Sequence, residues 1–202
     1  MNETGIPRNE ITGVILAGGR GSRMGGTDKG LVTLNGRPMV EYVLAALHRE
    51  VDHLLINANR NRERYSTFGY PVVPDLIGGY LGPLAGMASG MQAATTRYIV
   101  TAPCDSPLIG NGLVRRLYET LIRANAEISV AHDGERMHPV FALMQRDLLP
   151  SLLAYLNAGD RKIDRWYAQR RLAVTDFRDT PAMFLNVNSP EERAELESSL
   201  WR

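Results

Sequence analysis

Residues 16–30 read Leu-Ala-Gly-Gly-Arg-Gly-Ser-Arg-Met-Gly-Gly-Thr-Asp-Lys-Gly. Glycines let backbone N–H groups approach an anion with no Cβ in the way, and Arg20, Arg23 and Lys29 against the single acid Asp28 leave the segment at +2. That combination suits a polyphosphate. The two common nucleotide motifs both fail here. A dinucleotide fingerprint counted from Gly19 meets Met24 where its last glycine belongs, and Asn57 and Asn59 stand where a ribose-binding acid is needed. A P-loop requires Lys and then Ser or Thr after the last glycine, whereas Gly26 is followed by Thr27-Asp28. The remaining alternative is a glycine-rich solvent loop with incidental arginines.

Asp105 is the second chemical candidate. It is flanked by Pro103 and Pro107, which stiffen the turn that presents it. A carboxylate beside a phosphate loop repels the phosphates unless a cation lies between them. Mg²⁺, held by one or two carboxylates plus substrate phosphate oxygens, is the usual solution. The competing reading of Asp105 is an Asx-turn residue capping the next helix. Other reactive residues read as structural. His48 and His53 have no cysteine companions at zinc spacing, Cys104 reads as buried packing beside Asp105, and no serine sits in a Gly-x-Ser-x-Gly elbow. Trp166 and Trp201 read as packing residues, and the roles of His132 and His138 stay open.

These groups must be positioned by strands and helices, and the first half alternates between them. Ile11 to Ala17 is an apolar run ending in glycines, as a strand buried on both faces requires. Pro38 suits the first position of a helix whose Val40, Val43, Leu44 and Leu47 repeat at helical spacing to about Arg49. Leu54-Leu55-Ile56 is a second strand, Pro71-Val72-Val73 a weak third, and a helix opens after Gly82-Pro83. Tyr98 to Ala102 is another strand, stopped by Pro103. Such alternation predicts right-handed β-α-β units on a mostly parallel sheet flanked by helices, a Rossmann-like α/β fold. Ligands of open parallel sheets lie at the carboxyl ends of the strands, where the glycine loop, Asn57 and Asp105 all fall. After about residue 126 the pattern becomes irregular. Strands are expected at Glu127 to Ala131 and Val140 to Leu143, helices near 145–157 and 161–169, a strand at Leu172 to Phe177, and a helix after Ser189-Pro190.

The chain has 202 residues with 44% hydrophobic and 22% charged side chains, ordinary values for one globular domain. No linker divides it, so residues 1–202 read as a single domain with a nucleotide half at about 10–110 and an acceptor half at about 111–202. Lys plus Arg is 23 and Asp plus Glu is 22, a net charge of +1, which provides no overall field for nucleic acid. One cysteine rules out an intrachain disulfide and favours a reducing compartment. The first ten residues carry acids where a signal peptide wants bases and have no apolar run behind them, and no stretch approaches the ~18 unbroken apolar residues of a membrane span. The expectation is a cytoplasmic protein without membrane or nucleic-acid partners.

Leu-Ala-Gly-Gly-x-x-x-Arg-Met-Gly-Gly-x-Asp-Lys at 16–29 resembles the signature of cofactor-making nucleotidyltransferases, most of all the molybdenum cofactor guanylyltransferases. Further matches follow in order: Asn57-Ala58-Asn59, Asp75, Gly82-Pro83-Leu84-Ala85-Gly86, Pro103-Cys104-Asp105-Ser106-Pro107, His132 to Arg136 with His138-Pro139, and Asn186 to Glu192. They span nearly the whole chain, while 144–180 carries little family signal. The family joins GMP from GTP to the terminal phosphate of molybdopterin and releases pyrophosphate.

The resemblance implies that Leu16, Ala17 and Gly18 touch GTP through backbone, that Lys29 and Arg23 meet its phosphates, and that Asn57 and Asp75 hold base or ribose. It also implies that Asp105 carries Mg²⁺, with Asp105, Lys29 and Arg23 as the catalytic set, and that Gly82, Asp133, Asn186 and Asn188 form the molybdopterin side. Molybdenum insertion proteins and molybdoenzyme chaperones are the implied partners. The alternatives are a related cytidylyl- or sugar-nucleotidyltransferase and a GTP-binding module without turnover.

Overall fold

The computed structural model describes residues 5–18, 28–78 and 82–199. Its main sheet has seven strands in the order β5-β4-β1-β6-β8-β7-β9. These are β1 (Ile11–Leu16), β4 (His53–Asn57), β5 (Val72–Val73), β6 (Tyr98–Pro103), β7 (Ile128–His132), β8 (Met137–Gln145) and β9 (Leu172–Asp176). Strands β5, β4, β1 and β6 are parallel neighbours, β8 runs antiparallel between β6 and β7, and β9 is parallel to β7. A hairpin of β2 (Thr33–Leu34) and β3 (Arg37–Pro38) stands apart.

Helices cover both faces: α1 (Met39–His48), α2 (Arg62–Ser66), α3 (Pro83–Ala93), α4 (Leu113–Arg123), α5 (Leu149–Asn157), α6 (Ile163–Tyr167) and α7 (Pro190–Ser199). Strand β1 is central, and its side chains alternate between two apolar layers. Ile11 and Ile15 join Val43 and Leu47 of α1 and Leu117 of α4, whereas Val14 joins Met87 of α3, Leu152 of α5 and Trp166 of α6. Helix α3 approaches closely because its sheet-facing residues are small. A Cβ on Gly90 would stand 2.7 Å from Val14, and one on Gly86 would stand 2.4 Å from Asn57 Oδ1.

Most expected elements are present, with differences at their ends and some elements unread. Pro38 is the residue before α1 rather than its first position, because it pairs with Thr33 in the hairpin. Strand β6 includes Pro103, and β8 is longer than Val140 to Leu143. Pro139 is tolerated inside β8 because the β7–β8 register jumps from Val130↔Ala142 to Ala131↔His138, a bulge where a missing N–H costs no ladder bond. The helix expected near 145–157 starts only at Leu149, after a 3-10 turn at Arg146–Leu148, with Pro150 in its first turn. The sequence reading leaves α2, α4 and the hairpin unassigned. Helix α4 had a legible signal, Leu113, Leu117 and Leu121 at four-residue spacing, all buried on one face.

Candidate active site

The register makes the carboxyl ends of four parallel strands level: Leu16 lies opposite both Asn57 and Pro103, and Asn57 opposite Val73. The segments that leave those ends hold the candidate residues in adjoining groups.

The first group lies beyond β1, β4 and β5. Asp75 is held by three bonds: Asn57 Nδ2 donates to Oδ1 at 3.0 Å, Asn59 Nδ2 to Oδ2 at 2.7 Å, and the Asp75 N–H to Asn59 Oδ1 at 2.8 Å. Asn57 is itself anchored on Val73 O. Gly18 lies against this cluster, its Cα so placed that a Cβ would stand 3.1 Å from Asn59 Nδ2 and 3.3 Å from Asn57 Oδ1. Leu16 O accepts from Cys104 N and Ala17 N donates to Asn57 O, so ladder bonds already use part of the backbone expected to face a ligand. Each carbonyl keeps a second lone pair. Asn59 had no role assigned from sequence. The Asn-x-Asn alternation, which puts both side chains on one side of an extended segment, was its signal.

The second group gathers around Lys29. Its Nζ donates to Asp105 Oδ2 at 3.1 Å and to Asn188 Oδ1 at 2.5 Å. Asp105 is buried, 6% exposed, in the turn after β6. The next helix, α4, begins eight residues on with Gly112 as its cap, so Asp105 does not cap it. Lys29 opens a 3-10 turn that is fixed from behind. Asp28 gives one carboxylate oxygen to Tyr65 Oη at 2.5 Å and the other to Asn61 Nδ2 at 3.0 Å, away from Lys29. Burial pushes the Tyr65 phenol far up, so it remains a donor. Burial likewise raises the thiol of Cys104 well above its ordinary range, as packing rather than nucleophilic chemistry requires.

The third group joins the C-terminal segment to the Asp105 turn. Val187 N donates to Asp105 O at 3.0 Å and Ser106 Oγ to Asn186 Oδ1 at 3.0 Å. Glu192 Oε2 accepts from Asn188 N, while the Glu192 N–H donates to Ser189 Oγ, a capping arrangement that sets the angle of Asn188 at the start of α7. Beside this lies a cavity of about 570 Å³ whose walls include Pro103, Asp133, His138, Asn186, Asn188 and Glu192. Ser106 and Glu192 were within recognised motifs but carried no assigned role.

Asp133, Asn186 and Asn188 therefore share one cavity. Gly82 is placed otherwise: with φ +78 it caps α3, the helix whose Gly86 presses on Asn57. Asn188 touches Lys29, so a residue expected on the acceptor side and one expected on the nucleotide side meet rather than falling into two separate sets. Arg20, Arg23 and Trp201 lie outside the described residues. Trp166 is fully buried, with Nε1 donating to Ser151 Oγ. Among the described residues no three His, Cys, Asp or Glu side chains cluster as a metal cage. The donor set around Asp105, one buried carboxylate with about four lone-pair sites of which Lys29 takes one, fits a Mg²⁺ that keeps waters and takes further ligands from phosphates.

A family model described as the MobA-like NTP transferase domain matches residues 13–174. The molybdenum cofactor guanylyltransferase of Shewanella sediminis strain HAW-EB3 is 47% identical over 191 residues, 95% of this chain and 97% of that protein. The protein of the same name from Shewanella loihica is 48% identical with the same coverage. Among solved structures, the molybdopterin-guanine dinucleotide biosynthesis protein A of Archaeoglobus fulgidus matches with a TM-score of 0.76 at 19% identity, over 94% of this chain and 98% of that one. A nucleotidyl transferase from Methanothermobacter thermautotroptrophicus matches at 0.74 and 24%, over 96% and 99%. With its Rossmann-like sheet and matches running almost end to end, the chain belongs to the MobA-like NTP transferases, in the company of the molybdenum cofactor guanylyltransferases.

Proposed function

We propose that this protein transfers GMP from GTP to the terminal phosphate of molybdopterin, releasing pyrophosphate and forming molybdopterin guanine dinucleotide. The observation that carries this reading is Lys29 Nζ, 3.1 Å from Asp105 and 2.5 Å from Asn188, which itself lines the 570 Å³ cavity. A phosphate-binding cation at the seam of two subsites is what joining two phosphorylated molecules requires. The family membership supplies their identity.

In this mechanism the acceptor phosphate, already an oxyanion, attacks the α-phosphorus of GTP in line with the departing pyrophosphate. One P–O bond forms as another breaks, and no general base is needed. The work lies in bringing two polyanions together and in neutralising charge as it shifts to the leaving group. Lys29, freed from Asp105 when phosphate enters, would meet that charge, with Arg23 assigned the companion role. Leu16, Ala17, Gly18, Asn57 and Asp75 would seat the nucleoside, and Asp105 would hold Mg²⁺. When bound, the ion supplies further charge neutralisation between phosphates and carboxylate. Asp133, Asn186 and Asn188 would face the acceptor, and Gly82 would open the helix beside Asn57.

We read the chain as one nucleotidyltransferase domain, with nucleotide and acceptor halves sharing a continuous sheet. A cytoplasmic setting agrees with the single cysteine. No helix among the described residues is long and apolar enough to cross a membrane. Molybdenum insertion proteins and molybdoenzyme chaperones are the partners such a product implies. The reading is tested by incubating the protein with GTP, Mg²⁺ and molybdopterin. Pyrophosphate release that depends on molybdopterin is expected, and release without it, or none, would defeat the transferase assignment.

Two substitutions probe the seam. Gly86→Ala adds helix propensity worth ~1 kcal/mol, but its methyl would stand 2.4 Å from Asn57 Oδ1 and 2.7 Å from Leu16. Since Asn57 is tied to Asp75 and Val73, its displacement should cost GTP affinity about tenfold, the scale of one lost hydrogen bond. Calorimetric titration with unchanged affinity would detach Asn57 from nucleotide binding. Asn188→Ala should lower both GTP affinity and transfer, because Lys29 loses a partner, whereas Asn186→Ala, which bonds Ser106, should spare GTP affinity while slowing transfer. Equal losses of affinity in both variants would place Asn186 on the nucleotide side as well.

A further inference from the structure

The cavity beside Asn186 and Asn188 contains a side-chain pair that the phosphate chemistry does not use. His138, 8% exposed, lines it from β8, and its Nε2 is 2.6 Å from Asp133 Oδ2. The ring is held flat. Phe184 stacks on it with centroids 4.5 Å apart and planes 17° from parallel, while Phe141 stands edge-on to both rings. The carboxylate is held as firmly. Asp133 Oδ1 accepts from the N–H groups of Glu135 and Arg136, both at 2.8 Å, which leaves Oδ2 for the imidazole. The turn between them needs Gly134, with φ +103 and a Cβ that would meet Arg178 Cγ at 2.5 Å.

We propose that His138, oriented by Asp133, is a specificity-determining residue of the acceptor subsite, presenting its Nδ1 to an N–H donor of a flat nitrogen heterocycle bound in the cavity. This rests on the reading of the acceptor as molybdopterin. Bonding first to the backbone N–H of Arg136, then to His138 and Glu135, holds the Asp133 carboxyl far below the usual range, so it accepts and Nε2 carries the proton. In the neutral ring that makes Nδ1 an acceptor, and among the described residues it takes no hydrogen bond from protein. The remaining lining agrees in chemistry. Glu192 and the carboxamide oxygens of Asn186 and Asn188, which keep lone pairs beyond their bonds to Asn188 N, Ser106 and Lys29, line the cavity with acceptors, and the aromatic and proline walls suit a flat ring. A pterin carries ring N–H and amine donors on such a ring. The volume of about 570 Å³ is within the ~300–1,000 Å³ of small-molecule sites.

A pair that merely tied the β7–β8 turn would influence stability and nothing else, so the test reads acceptor recognition. His138→Phe keeps a flat ring against Phe184 and removes both nitrogens. His138→Asn returns an acceptor near the Nδ1 position. For His138→Phe the KM for molybdopterin is expected to rise about 10- to 100-fold, the cost of leaving a buried polar group unpaired, with GTP affinity within about twofold. His138→Asn should recover part of that loss. An unchanged acceptor KM in folded His138→Phe would overturn the proposal while transfer by the wild-type protein leaves the molybdopterin reading intact. No transfer by the wild-type protein would overturn both. Should His138→Phe fail to fold, imidazole ¹⁵N spectra of the wild-type protein decide. Free pterin is expected to shift the Nδ1 resonance of His138 and GTP is not, and a resonance that ignores pterin would reject the assignment.

Discussion

Asp105→Asn is expected to lower guanylyl transfer by at least ~10²-fold, the scale seen when one electrostatic transition-state group is removed. The replacement has the same shape and its carboxamide oxygen can still accept from Lys29, so the turn, the Val187 N–H to Asp105 O bond and the fold should persist. What is lost is a full negative charge at a buried position, 6% exposed, where a divalent cation is poorly held by a neutral amide. The loss should be partly offset by raising Mg²⁺, with the apparent affinity for the ion falling more than the affinity for GTP. Steady-state kinetics across a Mg²⁺ titration check this, beside a circular dichroism melt to confirm folding. Near-normal turnover at saturating Mg²⁺ would reduce Asp105 to a residue that positions Lys29.

The larger effect is expected in base selection, with GTP preferred over ATP and CTP by on the order of 10³ or more and ITP intermediate. Guanine presents N1–H and its exocyclic amine as donors beside O6. The Asp75 cluster next to Gly18 presents a carboxylate whose orientation is fixed by Asn57 and Asn59 and whose oxygens each keep a lone pair. Adenine or cytosine in a site matched to that edge leaves two or three polar groups unpaired, each costing ~1–3 kcal/mol. Inosine lacks only the amine. Competition among the four nucleotides, scored by the base found in the pterin product, measures the order. Comparable incorporation of CTP would sink the guanylyl assignment while leaving the nucleotidyltransferase fold and the Asp105 site standing.

Much of this architecture is written locally in the chain. Apolar runs such as Ile11 to Leu16 and Tyr98 to Pro103 mark central parallel strands because both of their faces are buried, and the Gly82-Pro83 pair marks where a helix opens. Those signals place the glycine loop, Asn57 and Asp105 at strand ends, and strand ends of an open parallel sheet are where ligands bind. Helix α4 is written in the chain as plainly, since its buried leucines are spaced as a helix requires. The extension of β8 across Pro139 was not legible, because only the jump in pairing with β7 excuses the missing donor.

The sequence by itself determined the class of fold and named the set of candidate residues, because glycine freedom, proline stiffness and apolar periodicity act over a few residues and leave their mark in composition. Only the tertiary structure decided which candidates meet. Lys29 and Asn188 are 159 positions apart and touch because the segment after β9 returns across the sheet to the Asp105 turn. Asp75 is an oriented carboxylate only because β4 and β5 pair in one register, bringing Asn57 and Asn59 beneath it. His138 becomes a flat, anchored ring only where the bulge in β8 brings it to Asp133 and the 3-10 turn at Pro181–Phe184 lays Phe184 against it. Such meetings depend on strand order and register, which are set by the burial of two whole sheet faces at once, and no window of neighbouring residues contains that sum.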